Sequence, residues 1–575
     1  MVLAVLLTNC VRKDPRQADV KSYTISVVAT KALSIESGTL YASWDKGDAV
    51  TVYNVTRSAD MGGSLTAQSS GSNTLLKGSL TGTIGKGDVL RLKFRSPSYT
   101  TQNGTLAYIA ANCDYAVAEV EVTDDSTPNI TTTDAAFANQ QAIVKFILKE
   151  KITGNPAISA SRLTVTVGGT TITVSPSGAT DELFVAMPGI SGQALTLSAD
   201  VNPYIYTYEK AGVSFANSQY YEVTVKMTRH AVNLAAVTSA FTAVNGDVLT
   251  GTLGSNVQIS IADGATVTLE NARLAPSSYP GLTCLGNATI NLAGSNTTNG
   301  GTFKPGIQIG GSGTTLTING PGSLSATGST QSAAIGLARS WDVNSSGGNL
   351  VINGGSIEAQ ATGTFGAGIG TGVCFGSSKT SAMGDITING GSVTARGAEG
   401  GAGIGTGFNY NNNATTRVGN ITVNGGTVAA YGGAAGSGND RTGGAAIGNG
   451  ENIYGANGHN IVGNITIGGG TVTAECGPLG TTVLGCTPNG TCGDVTLGGA
   501  STTPTVTLIN PHNSGSSVLA TSFMNPGSGQ HVYLSGMGGF ENVTFTTFDG
   551  YSGATSDSRF GCFSVNEFRL APDGN

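Results

Sequence analysis

From about residue 285 onward, apolar residues recur in three parallel alignments broken by glycine and asparagine. The first follows Ile-Thr-Ile-Asn-Gly and runs Ile318, Ile352, Ile388, Val423, Ile467, Leu497. The second follows Ser/Thr-Val-Thr-Ala and runs Leu324, Ile357, Val393, Val428, Val472, Val506. The third follows Gly-Ala-Gly-Ile-Gly and runs Leu285, Ile309, Ile335, Ile369, Ile404, Ile447, Leu484. Central spacings are 34–36 residues, with one expanded to 43–44. Apolar and polar positions alternate within each match, which is the period of a strand. Each repeat therefore carries three short strands separated by glycine turns, plus one loop of variable length. Such a unit cannot bury its own apolar side and must stack on copies of itself. The pattern predicts a parallel β-helix over residues 233–510, with coils about 4.8 Å apart.

Glycine and asparagine sharpen this expectation. Of 87 glycines, 59 lie in residues 251–500, where they allow tight corners and left-handed backbone angles. Asn319, Asn353, Asn389 and Asn424 follow the first strand of successive coils; Asn349, Asp385, Asn420, Asn464 and Asp494 precede it. Stacked amides of this kind hydrogen-bond along the axis, as in cross-β ladders. Calcium is the weaker reading, because carboxylates in this region are sparse and never clustered. Residues 243–294 read as first, irregular coils, and 511–575 as a C-terminal cap. The region is similar to glycine-rich β-helix domains of bacterial surface proteins, a class that includes carbohydrate binders.

The first 230 residues obey a different pattern, short alternating strands interrupted by Gly, Asp and Asn. Examples are GDVLRLKFR (87–95), AYIAANCDYAVAEVEV (107–122), AIVKFILKE (142–150) and YYEVTVKMT (220–228). About a dozen such strands make two antiparallel sandwiches in tandem, read as 21–128 and 129–232. The chain as a whole is thus expected to be all-β: two β-sandwiches followed by a solenoid.

ATKALS (29–34), SWDKGDAVTVY (43–53) and YYEVTVKM (220–227) carry a resemblance to the Mfa-like fimbrillins, lipoprotein pilus subunits of Gram-negative bacteria. The resemblance covers roughly residues 20–230 and implies fimbrial partners joined by strand complementation. In the family a protease cuts after an arginine of an early strand. The matching position here is Lys31, which points to a terminal or accessory subunit rather than a repeating one. Trp44 reads as core.

MVLAVLLTNC at residues 1–10 is too short to span a bilayer. It resembles the end of a bacterial lipoprotein signal, which would make Cys10 the lipidated residue and place the protein at the outer membrane or in a fimbria through a lipid anchor. Residues 1–20 are read as that signal end and a linker. Among the other cysteines, a Cys476–Cys486 or a Cys486–Cys492 disulfide fits the spacing. With four histidines in the chain and no zinc-type spacing, neither a metal site nor a cofactor is expected.

Charged residues are 11% and net charge is −7, so there is no basic field for nucleic acid. Catalysis is not expected either. Residues 251–500 hold ten Asp and Glu, and glycoside hydrolysis needs two carboxyl groups roughly 5–9.5 Å apart. Glu358 and Glu475 fall three coils apart, on the order of 14 Å. What remains is the loop after each Gly-Ala-Gly-Ile-Gly strand. Trp341, Phe375 and Tyr410 lie six residues past their ladder isoleucine and Tyr454 seven past, with Phe408 beside Tyr410. In register, these rings would line one edge as a platform for sugar faces; the competing expectation is that they fold back over the helix wall. The sequence thus reads as a surface lipoprotein adhesin for a glycan or cell surface. A polysaccharide-binding or -degrading protein of a glycan-uptake system is the alternative, and a structural spacer the third.

Overall fold

The computed structural model describes residues 21–31 and 43–509, with gaps at 342, 412, 437–442, 453–458, 479–481, 488–489, 494 and 498–504, and two strand fragments at 532–534 and 543–544. Cys10, Tyr454, Asp494 and almost all of the cap read at 511–575 lie outside the described residues. The chain divides into two units, Met1–Arg229 and His230–Asn575.

The first unit holds two packed β cores. In the first, the strand Lys21–Lys31 pairs antiparallel with Asn73–Gly82 and parallel with Asn129–Thr132 and Ala135–Asn139. Its inward residues Tyr23, Ile25, Val27 and Ala29 are buried. This one strand closes the sheet on itself. Trp44 is fully buried, edge-on to Phe94 at 5.3 Å and Phe137 at 5.0 Å, so it is core. The turn after it is built by Asp48, whose carboxylate accepts from Asp45 N, while Gly47 takes φ +96°. The same turn recurs at Gly85–Asp88 and Val244–Asp247.

Two sequence expectations shift here. Ile130, Ala135 and Phe137 pack in the first core, and the second begins at Ala142, so the boundary read at residue 128 falls too early. The stretch read as one strand at 107–122 opens as a helix, Leu106–Asn112. Thr105 caps it, its hydroxyl accepting from Tyr108 N, and Ile109 is its buried residue. The strand Ala116–Asp124 follows only after this turn of helix. In the second core, the closing strand returns parallel to Gln141–Glu150, pairing Ile143 with Tyr220 through Glu150 with Met227.

The second unit is a parallel β-helix. Its first row contains Thr315–Asn319, Asn349–Ile352, Ile386–Ile388, Ile421–Val423 and Ile465–Ile467, all paired parallel. The second row contains Ser323–Gly328, Ser356–Ala361, Ser392–Arg396, Thr427–Tyr431 and Thr471–Glu475. In both, the residues aligned from the sequence stack in register and those from Ile318 to Ile467 and from Leu324 to Val506 are buried, Ile352, Ile388 and Val428 completely. Each such side chain contributes about 1.5–3 kcal/mol of burial.

The third row is where the sequence alignment slips. Ile335 pairs with Ile307 and then Leu282, not with Ile309 and Leu285, and Leu285 is exposed. In these irregular coils two nearby apolar residues compete for one column, and spacing alone picks the wrong one. A fourth row was also not expected. Within the variable loops, Thr380–Met383, Thr415–Val418 and His459–Val462 form a parallel ladder of their own.

The asparagine expectation holds in detail. Asn319 Nδ2 donates to Asn291 Oδ1, Asn353 to Asn319, Asn389 to Asn353 and Asn424 to Asn389, at 2.8–3.0 Å. The second polar column works differently. There the Oδ1 of Asn349, Asp385 and Asn420 accepts from the backbone N of the residue one coil on, at 2.8, 2.7 and 2.9 Å. Of the two disulfides left open by spacing, the structure forms Cys486–Cys492.

Candidate functional site

The aromatic edge is set by backbone register. Ser340 bridges Cys374, Cys374 bridges Asn409, and Asn409 bridges Asn452, each one coil on. Phe375 N donates to Ser340 O at 2.8 Å and Tyr410 N to Cys374 O at 3.2 Å. Trp341, Phe375 and Tyr410 each follow a bridged residue, so three coils place one ring apiece at the same station. Ring centroids are 4.6 Å apart for Trp341–Phe375 and 5.1 Å for Phe375–Tyr410, near the coil rise, with the planes tilted by 41° and 53°.

Exposure separates these rings into two kinds. Trp341 is 50% exposed and Tyr410 39%, with Phe375 half-buried between them. Phe408 is completely buried, which corrects its reading as a ligand contact. Its ring stacks on Phe365 at 4.5 Å, and its backbone N donates to Phe365 O. Gly400 makes room for it, since a Cβ there would lie 2.7 Å from Phe408 Cδ2. Phe408 is thus part of the wall under the edge, with the Tyr410 ring 5.8 Å from it.

Three further residues belong to the edge that sequence reasoning missed. The Arg339 guanidinium lies 3.5 Å from the Phe303 ring centroid and 5.3 Å from that of Trp341, and its Nη1 donates to Gln331 Oε1. Phe365 lies 6.2 Å from Phe375 and 5.9 Å from Tyr410. The row therefore runs Phe303, Arg339, Trp341, Phe375, Tyr410, with Phe365 behind. Phe303 and Phe365 both take left-handed backbone, φ 60° and 74°, as does Gln331 at 69°. Each sits four residues before its ladder isoleucine, where the next coil has Gly400 at φ +70°. A bulky side chain in this region is strained, and strain of this kind persists where the surroundings require the side chain. Position relative to the ladder was the one signal available in the sequence.

The chemistry of the edge is that of flat apolar faces bounded by amide and guanidinium donors. Beneath it, burial holds the Cys374 thiol above its ordinary range, against hydrogen bonds that pull the other way. Burial likewise pushes Cys284 and Cys476 up to about 12. Buried thiols held this way carry little thiolate, the form that reacts with oxidants and metals. Among the described residues no cluster of three or more His, Cys, Asp or Glu is placed to hold a metal, and no helix is long and apolar enough to cross a membrane.

Among known proteins, a family match falls on the solenoid. Residues 350–373 and 386–408 match the family described as "Beta helix repeat". The N-terminal third is similar to a fimbrial protein from Bacteroides ovatus, 12% identical over 36% of this chain and 50% of that one, with a TM-score of 0.21. It is also similar to a fimbrial assembly protein from Parabacteroides distasonis, 13% identical over 35% of this chain and 90% of that one, with a TM-score of 0.22. The chain thus spans half the length of the B. ovatus protein. Among curated proteins none matches the sequence.

Proposed function

We propose that this chain is a cell-surface adhesin, a terminal or accessory fimbrial subunit of a Gram-negative bacterium anchored through lipid on Cys10, whose β-helix presents an aromatic edge to glycans. The observation that carries the reading is the register of Trp341, Phe375 and Tyr410, with the two outer rings open to solvent. Ring faces spaced at the coil rise suit a ligand that offers a succession of flat apolar faces, and pyranose rings do so. Stacked nucleobases would offer the same faces, but a chain of net charge −7 lacks the field that binds phosphates.

Two features support the rest of the reading. The fimbrillin resemblance at Trp44–Asp48 falls on a buried core residue and its turn, as a structural motif should. Lys21–Lys31 lies between two neighbouring strands and contributes Tyr23, Ile25 and Val27 to the core. A strand in that place is what a complementing strand of another subunit would replace. Lys31, where the family has arginine, suits a subunit whose first strand is left uncut and which accepts no donor. The role is one of binding, without catalysis. Glu358 and Glu475 stand on strands three steps apart in the second row, beyond the reach of paired carboxyl chemistry.

The test is a glycan array together with a cell-binding assay on the full chain. Trp341→Ala with Tyr410→Ala should abolish binding and lower Tm far less than loss of a buried ring, because both rings keep much of their surface in water. Phe408→Ala should instead lower Tm, as truncation of a buried ring costs about 3–5 kcal/mol. Retained binding by the double variant together with a lowered Tm would make the rings a lid over the wall and overturn the proposal.

A further inference from the structure

A second concave surface lies on the outer face of the second row of strands, away from the aromatic edge. It encloses about 490 Å³ and is lined by residues of four successive coils, among them Ser295, Ser325, Glu358, Thr394 and Arg396. That volume is in the range of small-ligand sites. The lining follows from the strand period. Inward positions carry Leu324, Ile357, Val393 and Val428, so every alternate residue faces out. In the outward columns Ser295 pairs with Ser323, Ser356 and Ser392, and Thr297 with Ser325, Glu358 and Thr394, each one coil from the next. The groove therefore offers hydroxyl groups at a repeat of about 4.8 Å over roughly 14 Å. That is a length for an oligosaccharide rather than a single sugar.

Two charges define what the groove can take: Glu358 interrupts the second hydroxyl column, and Arg396 stands in the next outward column, in register with Gln360, Thr327 and Asn299. Arg396 lines the groove with its guanidinium carbon 3.8 Å from the Tyr431 ring centroid, and guanidinium groups against aromatic rings favour stacked geometry that leaves their edge donors free. Among the described residues neither Arg396 nor Glu358 has an ion-pair partner. A guanidinium held in plane recognises a carboxylate by two parallel hydrogen bonds. Glu358 stands one coil below, two residues along the strand, since Glu358 pairs with Thr394 and Gln360 with Arg396. A carboxylate there repels a ligand carrying acid on every unit and tolerates one in which acidic and neutral sugars alternate.

We propose that this groove binds an extended glycan in which uronic acid residues alternate with neutral sugars, the carboxylate on Arg396 and the ring hydroxyls on the Ser/Thr columns. The site is separate from the aromatic edge, and its binding does not depend on Trp341 or Tyr410.

The probe is a hyaluronan octasaccharide, which has that alternation, titrated calorimetrically into the full chain beside its carboxyl-reduced counterpart. The acidic form should bind at least tenfold more tightly than the reduced form. Arg396→Ala should remove that preference, and Arg396→Lys should restore only part of it because the planar fork is lost. Glu358→Gln should strengthen binding of the acidic form. Thr394→Val, which keeps the strand and its shape, should weaken both forms. Trp341→Ala with Tyr410→Ala should leave binding of the probe intact. The proposal is overturned by absence of binding to the wild-type chain, by equal affinity for the acidic and reduced forms, or by undiminished preference in a folded Arg396→Ala variant. It is equally overturned if the Trp341 and Tyr410 variant alone abolishes binding.

Discussion

The carbonyl oxygen of Gly448 lies 1.8 Å from the point where a Cβ on Gly405 would stand. The same relation joins Gly336 to Gly370, Gly370 to Gly405 and Gly448 to Gly485, at 1.8, 1.7 and 2.0 Å. The first four of these glycines take φ between +141° and +143°. A column of backbone atoms stands here where side chains stand elsewhere, and this explains why the Gly-Ala-Gly-Ile-Gly segment is copied with so little change.

Gly405→Ala should therefore be severe. Left-handed strain costs about 1–2 kcal/mol, and displacing backbone from its packed position about 1–3 more. Chemical denaturation should show a loss of about 2–5 kcal/mol. Gly311→Ala is the control, since nothing lies within 4 Å of a Cβ there and its φ is ordinary. A loss at Gly311 as large as that at Gly405 would refute the account.

The amide column should behave as a coupled set. Asn389 donates to Asn353 and accepts from Asn424. Asn389→Ala should cost about 1–2 kcal/mol, the net worth of two hydrogen bonds. A double-mutant cycle with Asn353→Ala should give a coupling of about 0.5 kcal/mol or more, because the pair shares one bond. Strict additivity would mean that the amides stack without cooperating.

Acid should destabilise the first core through Asp88. Burial would raise this carboxyl, but Arg57, Asn54 and the Gly85 N–H hydrogen-bond its charged form and hold it below the usual carboxylate range. A folded-state value below the unfolded one stabilises above the ordinary carboxylate range, and that stability drains away as pH falls toward the depressed value. The urea midpoint of the first unit should drop between neutral pH and pH values near and below that range. Asp88→Asn should be less stable at neutral pH and show a shallower drop. A slope unchanged by the substitution would assign acid sensitivity to other groups.

Much of the solenoid was legible because its signal is repeated. Ile352, Ile388 and Val423 occupy equivalent places, and each confirms the next, so the first two rows and the asparagine column could be aligned from spacing. Leu285 and Ile309 failed because irregular coils offer one copy each, with Leu282 and Ile307 three and two residues away. Thr380–Met383 and His459–Val462 were hidden by polar composition and by loops of unequal length. At the edge, counting from the ladder isoleucine found Trp341, Phe375 and Tyr410, since their register is set by the bridged residue before them. The same counting could not show that Phe408 turns inward, because that depends on space left by Gly400, a residue eight positions earlier. Phe303 and Phe365 meet the edge by tertiary packing across coils, announced only by their shared place four residues before a ladder isoleucine, and Arg339 by no local pattern. In the first unit, the helix at 106–112 was missed because Ala-rich apolar residues followed by a real strand read as one run.

Each amide in the Asn291–Asn424 column points the same way, nitrogen toward the lower coil and oxygen toward the higher. Five side-chain dipoles are thus laid head to tail along the axis. Hydrogen bonds in such a chain polarise one another, so each amide added at the top is held more firmly than the last would be alone. The column is consequently directional. It ends at Asn424, because the next coil carries Gly468 at the matching position, and along its length it has a polarity that a stack of isoleucines, which attract equally up and down, cannot supply.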